Sequence, residues 1–98
     1  MYNIELQKIP NQEFTYIVGD KSFLVRLRTI QDLTFADISV DGQPVLYSQI
    51  CSPNTFINTY RYISAGGKFY FKCVDNEYPN YKNFGDTQQL QFYTEDEL

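Results

Sequence analysis

Apolar and polar residues alternate along most of this 98-residue chain with a period of two, the repeat of a strand that buries one face. "YNIEL" sets Tyr2, Ile4 and Leu6 against Asn3 and Glu5, and Pro10 closes that segment. "EFTYIV" at 13–18 is rich in aromatic and β-branched residues. The tight-turn signal "GDK" follows, and then "KSFLVRLRTI", in which Phe23, Val25 and Leu27 oppose Arg26 and Arg28. Together they predict a hairpin of about 13–18 with 21–29. "LTFADISV" gathers Ala36, Ile38 and Val40 on one face. Asp41-Gly42 predicts a second hairpin, because glycine accepts the positive φ that a two-residue loop requires. The returning strand "QPVLYSQI" carries Pro44, which lacks an N–H and belongs near a strand start or on an edge.

"CSPNTF" at 51–56 breaks the alternation and predicts one helical turn, capped by Ser52 or Asn54. "NTYRYI" resumes it, with Tyr60 and Tyr62 opposite Arg61, and "AGG" turns the chain. "KFYFKCV" then sets Phe69, Phe71 and Cys73 against Lys68, Tyr70 and Lys72. After a loop over 75–87, "QLQFYT" makes the last strand. No segment keeps the helical period beyond about two turns. The predicted fold class is all-β: a small single-domain β-barrel or sandwich of about seven short antiparallel strands over residues 1–98.

Composition narrows the chemistry. A domain of this size buries only about 60–65% of the surface its unfolded chain exposes, so its core is thin and docking on a partner would matter to it. Hydrophobic residues make up 43% and aromatics 17%, which is too apolar for a disordered chain. Histidine is absent, which excludes Ser-His and Cys-His nucleophilic catalysis and imidazole metal ligation. Residues 1–74 hold six acids and seven bases; residues 75–98 hold six acids and one base, Lys82. That acidic quarter repels phosphate backbones and argues against nucleic acid as a partner. "KFYFKC" resembles a single-strand stacking platform, but the face bearing its lysines holds one ring, Tyr70, and a core strand explains it better.

Cys51 and Cys73 are too few for a disulfide scaffold and too far apart for a metal knuckle. No secretory core opens the chain, so both thiols are expected free in a reducing compartment. No run approaches the ~18 apolar residues of a membrane-spanning helix. Asp75, Glu77 and Asp86 could offer oxygens to Ca²⁺, yet they fit no known loop spacing. The terminal "EDEL" reads as a frayed acidic end. No cofactor is expected.

The loop poses the sharper question. "YPNYKNFGD", residues 78–86, mixes turn formers with three large rings, Tyr78, Tyr81 and Phe84. Rings on irregular backbone either fold back over the protein's own core or wait for a partner, and the residues leave both open. If the loop is an interface, Pro79 and Gly85 would shape it and Asn83 and Asp86 would hold it through backbone hydrogen bonds. Arg26, Arg28 and Arg61 join Tyr78, Tyr81, Phe84 and Asp86 as candidate interface residues, since arginine is enriched at protein contacts.

The blocks "EFTYIVGDKSFLVRLR", "DGQPVL", "TYRYISAGGKFYF" and "YPNYKNFGDTQQLQFYT" resemble the baseplate plug family of contractile-tailed bacteriophages. Tyr60, Arg61, Tyr62, Gly66, Gly67, Asp75, Tyr81, Asn83, Phe84, Gly85 and Asp86 fall at matching places. Arg28-Thr29 departs from the Arg-Trp that often ends the family's second strand. The resemblance implies a non-enzymatic virion protein made in the bacterial cytoplasm. It would be a small barrel seated in the baseplate hub, touching other hub proteins and the tail tube, in one or several copies. The alternative class is a free binding module of OB-like nucleic-acid or carbohydrate type; an enzyme stands third.

Overall fold

The computed structural model describes residues 1–57 and 67–97. Eight strands lie within them: β1 (Tyr2–Ile4), β2 (Gln12–Val18), β3 (Lys21–Ile30), β4 (Leu33–Val40), β5 (Gln43–Ile50), β6 (Thr55–Phe56), β7 (Gly67–Cys73) and β8 (Gln88–Thr94). They form two antiparallel four-stranded sheets, one in the order β1-β8-β7-β6 and one in the order β2-β3-β4-β5. Among the described residues the sheets are not closed into a barrel, and of the two expected architectures the sandwich is the one that fits. Closure needs hydrogen bonds between end strands, and no local alternation encodes those.

The second sheet is a meander of three tight hairpins. Its first hairpin runs in unbroken register from Gln12↔Leu27 to Val18↔Lys21, as the alternation predicts. The β3–β4 turn, Gln31-Asp32, places two non-glycine residues at positive φ, 50° and 63°. Asn80 helps hold it, donating from Nδ2 to the Asp32 carbonyl at 3.2 Å. The β4–β5 turn is the expected Asp41-Gly42, where the Asp41 carboxylate also accepts from the Ser22 N–H at 2.9 Å. Pro44 sits on the edge strand β5. Register slips near Ile38↔Leu46, and Ser48 takes a φ of 52°. Its freed N–H donates to Asp37 Oδ1 at 2.7 Å, so the irregularity leaves that group paired.

The inward residues of both sheets meet in one core. Phe23, Val25, Leu27, Ala36, Ile38 and Val40 come from one sheet; Phe69, Phe71, Cys73, Leu90 and Phe92 come from the other. Phe23, Phe69 and Phe92 pack at centroid distances of 5.0–5.5 Å in tilted or edge-to-face pairs, the arrangement that aromatic quadrupoles favour. Tyr16 closes the group at 5.3 Å from Phe92. Phe23 and Phe69 lie on the faces that the period of two assigns them.

Two local expectations need correction. "CSPNTF" forms a turn and the short β6 rather than a helical turn. Asn54 does not cap a helix: its side-chain amide accepts from the Cys73 N–H and donates to the Cys73 carbonyl, both at 3.0 Å. A side chain that serves both groups of a strand residue leaves the helical alternative nothing to gain. The acidic end is not frayed either. Residues Glu95–Glu97 make a 3₁₀ turn, and Glu97 accepts from the Thr94 N–H and hydroxyl at 2.9 and 3.1 Å. "NTYRYI", with Tyr60, Arg61 and Tyr62, and most of "AGG" lie outside the described residues.

Both cysteines are free and buried. Burial pushes the Cys51 thiol far up, helped by the neighbouring Cys73, and Cys73 is raised first by burial and then by Glu77. A protonated, enclosed thiol is a poor nucleophile. The native protein is therefore expected to react with a disulfide reagent at least ~100-fold more slowly than the unfolded chain. A colorimetric thiol titration with and without denaturant checks this, and rapid modification of the native protein would contradict it.

Candidate protein-interaction site

The loop between β7 and β8 is held at almost every residue. It leaves β7 through a 3₁₀ turn, Val74–Asn76, in which Asp75 and Asn76 adopt positive φ. A second 3₁₀ turn spans Tyr81–Asn83, and Asn80 caps it by accepting from the Lys82 N–H at 3.0 Å. Asn83 was the expected organiser; Asn80 occupies that role, because it precedes the turn and its carboxamide faces the free N–H groups. Gly85, at a φ of 84°, reverses the chain, and its N–H donates to the Gln88 carbonyl at 2.8 Å. Asp86 does not cap through its side chain: the carboxylate pairs with Lys8 across the surface.

Gln88 is the anchor that sequence reasoning missed. It is fully buried on the inward side of β8. Its Oε1 accepts from the Asn80 N–H at 2.7 Å and its Nε2 donates to the Tyr78 carbonyl at 3.0 Å. Thr34, buried in β4, donates its hydroxyl to the Pro79 carbonyl at 2.8 Å. Residues 78–80 are thus bound to both sheets by buried side chains. A glutamine at an inward strand position was the available signal, since a buried amide needs partners.

This scaffold sorts the three rings. Phe84 is turned inward, 2% exposed, with its centroid 5.6 Å from Phe71. It belongs to the core, so of the two fates left open for these rings Phe84 takes the inward one. Tyr81 is half-buried, packed against the core from outside, with Lys82 Nζ 6.0 Å from its ring centroid. Tyr78 remains 51% exposed on a backbone held at its own carbonyl and at the Asn80 N–H by Gln88.

The arginines stand apart from the loop. Arg26 pairs with Glu13 at 2.9 Å, and Arg28 with Asp37 at 3.1 Å, across neighbouring strands of the β2–β5 sheet. Arg28 also donates to Ser48 Oγ and lies 5.5 Å from the ring centroid of Tyr47. Among the described residues no hydrogen bond or ion pair joins either arginine to residues 78–86. Arg61 lies outside the described residues. The same outer face carries Ile17 and Tyr47, 71% and 79% exposed, which the sequence reading did not single out.

The outer face of the other sheet holds more rings than expected. Phe56 and Tyr93 join Tyr70, with centroids 5.1–5.8 Å apart in edge-to-face contacts, and Lys68 Nζ lies 5.8 Å from the Phe56 centroid. The rings pack on one another's edges rather than standing apart as parallel stacking surfaces. Asp75, Glu77 and Asp86 do not gather: no cluster of three His, Cys, Asp or Glu exists among the described residues.

The long loop of this sandwich is thus tied down from both sheets by buried side chains. A family model described as "Cyanophage baseplate Pam3 plug gp18" matches residues 1–96. The chain belongs to this baseplate plug family. The match covers the resembling blocks named above, including "YPNYKNFGDTQQLQFYT" and the stretch with Arg61. The plug family is one of structural phage baseplate components and is not a class of enzymes. Comparison with curated proteins returns no match.

Proposed function

We propose that the chain acts without catalysis as a plug within the hub of a contractile-tail baseplate, held there by contacts with other baseplate proteins and the tail tube. Its place would be the virion, after synthesis in the host cytoplasm, where two buried reduced thiols are at home. The family match over residues 1–96 carries this reading.

The 78–86 loop is the contact we assign to it. An exposed ring on a pre-tied backbone loses little entropy on docking, so Tyr78 can bind a partner surface more effectively than a ring on a loose loop. Tyr81 and Asp86 flank it: Tyr81 is half-buried, and Asp86 is exposed and paired with Lys8. Tyr78→Ala is expected to cost on the order of 2 kcal/mol in partner affinity, about 30-fold in Kd, with the melting temperature unchanged. Quantifying the variant in purified tails by mass spectrometry, beside a thermal melt of the free protein, tests this. Incorporation at the wild-type level would remove the loop from the interface.

A further inference from the structure

Among the described residues four strands lie at sheet ends, and three are protected against pairing. β1 and β6 have three and two residues, and β5 carries Pro44 and the irregularity at Ser48. Short strands, prolines and bulges are the devices by which sheet edges avoid adding a further strand. β2 has none of them. It runs seven residues, "QEFTYIV", in continuous register with β3, contains no proline or lysine, and has no strand on its other side among the described residues. Glu13, its single charge, is already paired with Arg26 at 2.9 Å.

Alternation of hydrogen-bonded pairs fixes which groups are free. Counting from Val18↔Lys21, the pair that closes the two-residue turn, the even-numbered residues of β2 bond to β3. The N–H and C=O of Glu13, Thr15 and Ile17 then point away from the sheet.

We propose that this edge pairs antiparallel with the same edge of a second copy, joining two four-stranded sheets into one of eight strands about a two-fold axis at Thr15. With that axis Thr15 faces Thr15 of the other copy, and Glu13 faces Ile17. All three are outward residues, so both rows of free backbone groups are satisfied. Phe14 then faces Tyr16 of the other copy at the non-hydrogen-bonded positions, where side chains approach most closely. Aromatic–aromatic and Thr–Thr pairs are among the favourable cross-strand combinations. No like charges come opposite each other, so a copy of the same net charge of −4 can approach along this neutral line. Ile17, 71% exposed, gains the aliphatic stem of the facing Glu13 as cover. The seam is isologous and closes on itself, which stops growth at two.

This proposal stands apart from the role in the baseplate and is tested on the isolated full chain. A single-strand seam is smaller than the ~1,600 Å² of a standard interface, so micromolar self-association is expected. Sedimentation velocity at about 200 µM, well above such a Kd, should show a dimer. Thr15→Pro removes an edge N–H that the monomer does not use, and should yield a monomer with unchanged far-ultraviolet circular dichroism. Ile17→Lys introduces an edge charge and should weaken the dimer by tenfold or more. A monomeric wild type overturns the proposal, as does a Thr15→Pro protein that remains folded and dimeric. If Thr15→Pro does not fold, Ile17→Lys decides: an unchanged dimer overturns it. A wild type that stays monomeric yet binds an extended peptide along β2 also overturns it, giving the edge to a foreign strand.

Discussion

Phe84→Ala is expected to destabilise the protein by about 3–5 kcal/mol, the range for emptying a fully buried aromatic site. The ring is 2% exposed and packs at 5.6 Å from Phe71, a fully buried ring of β7. Phe84 also bridges to Gln88, which in turn ties residues 78–80, so the loss reaches the loop as well as the core. Urea unfolding followed by fluorescence would measure it. Since a domain of this size is stable by about 5–15 kcal/mol in all, the variant should melt at least 10 °C lower. A shift below about 1 kcal/mol would mean that the cavity collapses at no cost and that the ring is not part of the core. Set beside Tyr78→Ala, this variant separates the two fates of the loop's rings: one is buried in the core and the other is left exposed.

Gly67→Ala is the second large effect. Gly67 begins β7 opposite Thr94, at a φ of 155°. A Cβ added there would overlap the buried ring of Phe92 and the backbone carbonyl of Tyr93. Phe92 is fully buried against Phe23 and Phe69 and has no room to withdraw. The carbonyl lies in β8 and can move only by opening the ladder. Overpacking together with backbone strain at a glycine conformation should cost roughly 3–5 kcal/mol. Thermal melts of Gly67→Ala and, as a control, Gly42→Ala would show it. Gly42 also has positive φ, at 84°, but nothing lies within 4 Å of an added Cβ, so only the conformational part remains there. Equal losses in the two variants would rule out the steric clash.

The strands were legible in the sequence because one buried face imposes a period of two. Phe23, Val25 and Leu27, then Ala36, Ile38 and Val40, then Phe69, Phe71 and Cys73 all point inward as that period requires. The hairpins at Gly19-Asp20 and Asp41-Gly42 were legible for a related reason: positive φ at a two-residue turn selects glycine, and glycine stands in both. The Gln31-Asp32 turn carried no such mark, and its backbone is supported instead by Asn80, 48 residues away.

Tertiary structure decided what depended on distant partners. Nothing within "YPNYKNFGD" tells Phe84 from Tyr78; the choice follows from Gln88 and Thr34, which bind residues 78–80 and swing Phe84 over Phe71. Arg26 and Arg28 read as free interface charges until β2 and β4 brought Glu13 and Asp37 beside them. Asn54 read as a helix cap until β7 presented both backbone groups of Cys73 to it. Sandwich or barrel was likewise open, because closure depends on whether end strands meet. The sequence by itself determined which residues alternate and where glycine permits a reversal, since those constraints act within a few residues. The destinations of loop rings, charges and sheet edges were set only when the folded chain brought together groups tens of residues apart.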